Sequence, residues 1–266
     1  MKFILACIIS AALIVGLYLF QGEKREWIMP KELNEISGIA FVNDHTLACV
    51  QDENGIIFLY DLQKSEITQR ISFAGKGDFE GIALKGKDAY IVTGDGVLYE
   101  VHNFLSGEPE VSLYSLSLPN EAESEAICYD SISGKLLLAF KNHEKDEINP
   151  GVFAFDLKTK TVSDTAILQV NFRSPALRKK DRDKYKKLWQ PADLTVDPAS
   201  GRIFMIDAIN GHLMEISREG RLEKLTDIAR KVIRHPEGIA IAADGSIYLC
   251  NDGNNDGKGK IVKWKN

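Results

Sequence analysis

Two stretches of this chain are near copies of each other. "DFEGIALKGKDAYIVTGDG" runs from Asp78 to Gly96, and "HPEGIAIAADGSIYLCNDG" runs from His235 to Gly253. An internal repeat restricts the fold more than local propensity does, because each copy must build the same supersecondary unit. Three further units align on these two. They start "NEISGIAF" at Asn34, "ESEAICYD" at Glu123 and "QPADLTVDP" at Gln190. The equivalent positions are Ser37, Glu80, Glu125, Ala192 and Glu237, spaced 43, 45, 67 and 45 residues apart. The third unit therefore carries an insertion of about 22 residues.

Each unit is a series of short apolar runs cut by turn residues. The fourth reads "DLTVD", "PASG", "RIFMID", "AING", "HLMEIS", "REG", "RLEKL". Alternating runs of this kind are strands, and four strands per period of about 45 residues describe one blade of a β-propeller. The fifth unit ends at "KIVKWK" after three strands. The unassigned run Arg25–Met29, "REWIM", supplies the missing one and closes the ring between the two ends of the chain. Closure removes the sheet edges that would otherwise be exposed. The expectation is an all-β, five-bladed propeller over 23–266; six blades would need strands hidden in the insertion. A hydrophobic helix over 1–22 precedes it.

That helix rests on Phe3–Phe20, 18 residues without a charge after Lys2. The run is close to the minimum for a membrane span, and no small-residue cleavage site follows it. An uncleaved anchor is expected first and a cleaved signal peptide second. Both place the propeller on the extracytoplasmic side of a cell membrane, periplasmic or outer. Cys7 lies in this segment, while Cys49, Cys128 and Cys250 sit in strand-like runs without metal or redox spacing, as buried thiols do. A net charge of −5 argues against nucleic acid as a partner. A monomer is expected.

The motifs "SGIAF", "FEGIAL", "EAICYD", "QPADLTVDP" and "HPEGIAIAADGSIYLCND" resemble the SdiA-regulated family of bacterial envelope propellers, distant relatives of NHL-repeat proteins. The resemblance spans Leu33 to Trp264. It implies an N-terminal membrane segment, five blades and a calcium ion at a shared acidic site, and it brings no established enzymatic activity.

The residues point to the same place. A propeller's first strands line its central channel, so Glu80, Glu125 and Glu237 should meet at the channel mouth. Clustered carboxylates repel and raise one another's pKa, and one calcium ion, which accepts six to eight oxygens, would relieve them. Glu35 and Asp193 are secondary candidates, being off register. The alternative is that the glutamates bond to backbone amides and lock blades together. Asp52, Asp95, Asp207 and Asp252 recur in the loops of the same face, where Asp also serves ordinary turns. Among five histidines only His143, beside Lys141 and Glu144, stands in such a loop. The insertion Arg173–Trp189 holds eight basic and two acidic residues. It should be helical from Ser174-Pro175 and lie over the mouth, either as a solvated surface helix, as a lid for an anionic ligand, or against lipid headgroups.

Two functions fit. One is a non-catalytic envelope module binding an unknown small molecule or protein at the channel face. The other is a calcium-dependent hydrolase of the lactonase, esterase or phytase kind. The lack of a histidine-plus-carboxylate constellation favours binding.

Overall fold

The computed structural model describes residues 25–117, 122–141, 151–179, 182, 185, 190–253 and 257–264. Phe3–Phe20, with Cys7, lies outside them, as do His143 and most of the insertion beyond Lys179. Among the described residues no helix is long and apolar enough to cross a membrane.

In chain order, β1 (Glu26–Ile28) precedes a first sheet of β2 (Ile36–Asn43), β3 (Thr46–Gln51), β4 (Asn54–Asp61) and β5 (Glu66–Lys76). The second sheet holds β6 (Phe79–Lys85), β7 (Asp88–Thr93), β8 (Val97–His102) and β9 (Glu110–Ser115). The third holds β10 (Glu123–Asp130), β11 (Lys135–Lys141) and β12 (Gly151–Asp156), with β13 (Thr161–Val162) and β14 (Leu168–Gln169) both on β12. The fourth holds β15 (Pro191–Val196), β16 (Ile203–Asp207), β17 (His212–Ile216) and β18 (Leu222–Asp227). The fifth is β19 (Pro236–Ile241), β20 (Ile247–Asn251), β21 (Lys260–Trp264) and then β1. Five antiparallel blades therefore form the ring. The third departs from the simple repeat because its outer strand is split in two, where "SDTA" interrupts the run between Val162 and Ile167.

Burial explains why the strands read as they do. The second strands are covered on both faces, so β3, β7, β11, β16 and β20 are nearly continuous apolar runs. The outer strand β5 alternates between exposed and covered positions. The buried side chains fall into five clusters, one for each seam between neighbouring blades. The hairpins are fixed by aspartates that accept backbone N–H bonds two or three residues on. Asp61 takes Gln63 and Lys64, Asp156 takes Lys158, and Asp197 takes Ala199.

The ring closes as the sequence reading expects. β1 lies antiparallel on β21, with Trp27 opposite Ile261. Trp27 is buried between the fifth and first blades, stands 5.9 Å from the Tyr248 ring, and donates its indole N–H to Leu62 O at 2.7 Å. Truncating a core Trp to Ala typically costs about 3–5 kcal/mol, so Trp27→Ala should lower the melting temperature by roughly ten degrees in a domain of this size. An unchanged melting curve would mean that the β1–β21 pairing does not hold the ring shut.

Candidate functional site

The same irregularity recurs where each inner strand begins. The pairing of inner and second strands skips one residue between Ile36 and Gly38, Phe79 and Gly81, Ser124 and Ala126, Pro191 and Asp193, and Pro236 and Gly238. The residues left over are Ser37, Glu80, Glu125, Ala192 and Glu237. A β-bulge re-aims the side chain of its extra residue, and this one does so at the same point in every blade.

The next position explains why the bulge is tolerated. A Cβ on Gly38 would stand 3.0 Å from Gly81 Cα, and one on Gly238 would stand 3.2 Å from Ser37 O. The inner strands thus touch backbone to backbone around the axis. In the fourth blade this position is Asp193, which is buried; its carboxylate accepts the Ile239 N–H and its own Leu194 N–H, each at 2.8 Å. Burial pushes its pKa well up. Asp193 stitches two inner strands together rather than facing the mouth. Ser37 acts similarly, donating its hydroxyl to Phe79 O at 2.6 Å.

Glu80, Glu125 and Glu237 do converge, and each feels the charge of one other: Glu80 that of Glu125, Glu125 that of Glu237, and Glu237 that of Glu80. Burial, then Glu125 and Asp78, push Glu80 up to about 8. Burial pushes Glu125 to about 7 against the pull of Lys141, with Glu237 and Glu123 adding to the rise. Burial and then Asp252 raise Glu237 to about 7. Gly94 leaves room for this crowd, since a Cβ there would meet the Asp78 carboxylate at 2.7 Å. Asp52 extends the acidic arc and is pushed to about 6 by burial, Glu35 and Glu53. Glu35 therefore sits beside Asp52, at the flank of the three glutamates.

Among the described residues Lys141 answers them. Lys141 Nζ is 2.5 Å from Glu125 Oε1 and 3.9 Å from Glu123, and its charge pulls down all three glutamates. Lys141 ends the second strand of its blade one residue past Phe140, which pairs with Ser124, so its counterparts in the other blades are Asp52, Gly94, Ala208 and Asp252. The repeat alignment contains this column, but a search for recurring carboxylates passes over a lone lysine. Among the described residues no three carboxylate, imidazole or thiol groups stand close enough to hold a metal ion. Calcium would have to displace the lysine ammonium and draw the glutamates inward. Two buried oxygens nearby, Asp52 Oδ1 and Asn251 Oδ1, have no hydrogen-bond donor among the described residues.

The loop aspartates divide. Asp207 accepts the Asn210 N–H and side-chain amide at 2.9 and 2.8 Å, which is turn chemistry. Asp95 accepts the Thr93 hydroxyl at 2.5 Å. The described part of the insertion packs into the seam between the third and fourth blades through Phe172, Leu177 and Tyr185; Lys179, Arg182 and Tyr185 have helical backbone. Tyr185 stacks on Phe172 at 4.9 Å, and its hydroxyl bonds His212 Nδ1. His212 Nε2 in turn lies 3.0 Å from Asp227. This chain was invisible in sequence because its members come from three separate elements. Cys49, Cys128 and Cys250 are buried free thiols.

A five-bladed propeller whose inner-strand bulges collect carboxylates at one mouth is the class of protein defined here. The family model for SdiA-regulated proteins matches residues 25–255, and the chain belongs to that family. Among curated sequences none matches significantly. Of solved structures, Myxococcus xanthus glutaminyl cyclase is similar with a TM-score of 0.63 at 17% identity, over 90% of this chain and 93% of that one. A Bacteroides thetaiotaomicron protein of unknown function matches with a TM-score of 0.56 at 16% identity, over 91% of this chain and 62% of that one. A chain of the nidogen/laminin complex matches with a TM-score of 0.54 at 17% identity, over 81% and 72%. At these identities the likeness is one of fold.

The raised carboxyls fix the sign of the pH dependence. Glu80 has a folded pKa of about 8 against an ordinary 4.5, so between those values the folded state holds more protons than the unfolded one. Stability should therefore fall as pH rises from about 5 to 8 and level off above. Glu80→Gln should match wild type near pH 5 and melt several degrees higher at pH 8.5. Parallel melting profiles for the two proteins would show that Glu80 is not held neutral.

Proposed function

We propose that this protein is a non-catalytic binding module, tethered at the extracytoplasmic face of a cell membrane, that takes the cationic group of a ligand at its channel mouth. One observation carries the reading: three carboxylates from three blades share, among the described residues, the ammonium of Lys141. With Lys141 charged, the ring can hold two further positive charges, and near neutral pH protons fill that deficit. A ligand's ammonium would replace them. The uncharged run Phe3–Phe20 supports the tether.

Calcium is the second occupant, favoured by the donorless oxygens of Asp52 and Asn251, and it must compete with Lys141. A catalytic reading rests on a different observation. Carboxyls near pKa 7 suit proton transfer at neutral pH, and the similar glutaminyl cyclase is an enzyme by name. A hydrolase or cyclase would use Glu125 or Glu237 to pass a proton to a leaving amine.

Calorimetric titration separates these. Alanyl-alanine amide, which carries one positive charge, should bind with release of protons near pH 7, seen as a dependence of heat on buffer. Its affinity should rise with pH from 6 to 8 as protons compete less, and N-acetylation should abolish it. Calcium should bind more tightly to Lys141→Met than to wild type if it occupies the mouth. Binding of neither probe, or binding without proton release, would sink the cation site, while release of ammonia or hydrolysed product during the titration would make the protein an enzyme.

A further inference from the structure

A second recess lies on the same face. The connection from β18 to β19, residues 228–235, crosses from the outer edge of the fourth blade to the inner strand of the fifth. Beneath it is a cavity of about 530 Å³ against the β16–β17 hairpin. Its rim carries Arg230, Lys231, Arg234 and His235, all exposed, over the buried side chains of Ile228 and Ile233. Among the described residues no carboxylate lines it. Of the two acids that flank the segment in sequence, Asp227 is engaged by His212 at 3.0 Å, and Glu237 belongs to the glutamate ring. In a chain of net charge −5, four basic side chains around one cavity form a local field of opposite sign to the mouth, which favours an anion.

The recess is coupled to the mouth by the chain itself. His235 and Glu237 are two residues apart, so their backbones lie within about 7 Å. His235 has φ +44°, a conformation few residues other than glycine adopt, and it stands directly before buried Pro236. The chain thus turns sharply at the junction, with the basic side chains on one side and Glu237 at the channel on the other.

We infer that the ligand is zwitterionic, its anionic group held by Arg230, Lys231 and His235 while its ammonium enters the glutamate ring. This rests on the proposed cation site and adds the other half of the ligand. The anion could be a peptide carboxylate or a phosphate ester, since guanidinium and ammonium groups accept both. Opposite charges on adjoining walls also orient such a ligand and reject the amide or acetylated forms of it.

The experiment compares alanyl-alanine, alanyl-alanine amide and phosphoethanolamine on wild type and on Arg230→Ala/Lys231→Ala. These positions are exposed, so an unchanged melting temperature confirms that the variant is folded. The free dipeptide or phosphoethanolamine should bind wild type at least about tenfold more tightly than the amide, equivalent to about 1.4 kcal/mol; which of the two gains more identifies the anion. The double variant should erase that advantage and leave amide binding unchanged. Equal affinity of wild type for the free acid, the phosphate and the amide overturns the anion pocket while leaving the cation site standing. Binding of phosphoethanolamine that survives Glu80→Gln/Glu237→Gln but not the double variant shows an anion pocket without the cation site, and overturns the zwitterion. No binding of any probe by wild type at millimolar concentration overturns both.

Discussion

The close approach of five inner strands is the constraint on which the rest depends. Backbone meets backbone between Gly38 and Gly81, and Gly238 stands as close to Ser37 and Gly38. A side chain at these positions would hold the blades apart and open the seams that carry the core. The residue just before each contact is spared this crowding because the bulge sets it outside the ladder. Its side chain is free to be polar, and in three blades it is glutamate. The Glu-Gly-Ile-Ala motif thus joins two requirements: the glycine serves ring closure and the glutamate serves the mouth.

Electrostatics then decides what such a mouth can do. Three ionised carboxylates taken out of water would cost several kcal/mol each unless paired. Among the described residues Lys141 supplies an ammonium, and burial outweighs it at all three glutamates. The carboxyls of Glu80, Glu125 and Glu237 are accordingly held near neutrality, not far below it. Contrast Asp130, whose buried carboxylate is met by Arg218 at 2.6 Å and is held below its ordinary range despite burial. The protein can complete a buried ion pair where structure needs one. At the mouth the described residues leave the glutamates short of positive charge, which is what the proposed cation site draws on.

Much of this was legible in the sequence, for identifiable reasons. Blade number and closure follow from the repeat and from "REWIM", since strand count and chain ends are properties of order along the chain. The convergence of Glu80, Glu125 and Glu237 follows from the same alignment. What escaped belongs to register and charge. A bulge cannot be seen until two strands are paired, so Asp193 looked like a ligand off by one, when it holds the glycine position and bonds Ile239 N–H. Lys141 falls in line with Asp52, Gly94, Ala208 and Asp252, one residue past the paired ends of the second strands, and nothing in that column points to a counter-ion. The basic recess is not legible because Arg230, Lys231, Arg234 and His235 are interleaved with apolar residues in a short connection. "ARKVIRH" reads only as a connector until the crossing over the face is known.

The two ends of the channel differ, and the difference gives the site a direction. The far mouth is a recess of about 250 Å³ lined mainly by Phe41, Leu84, Tyr129, Val196 and Ile241, the distal ends of the inner strands. It offers no charge to a polar ligand. The near mouth carries both the acidic ring and the basic recess, so the groups that would recognise the proposed ligand gather on that face. The recognising groups of the ring sit on strand starts fixed by five buried seams, and their cost of convergence is met by the folding of the whole propeller. A ligand that arrives finds the carboxylates already gathered and partly protonated, and little ordering remains to be done on binding. Rigidity of this kind favours selective capture of a small charged group over a site that must close around its substrate.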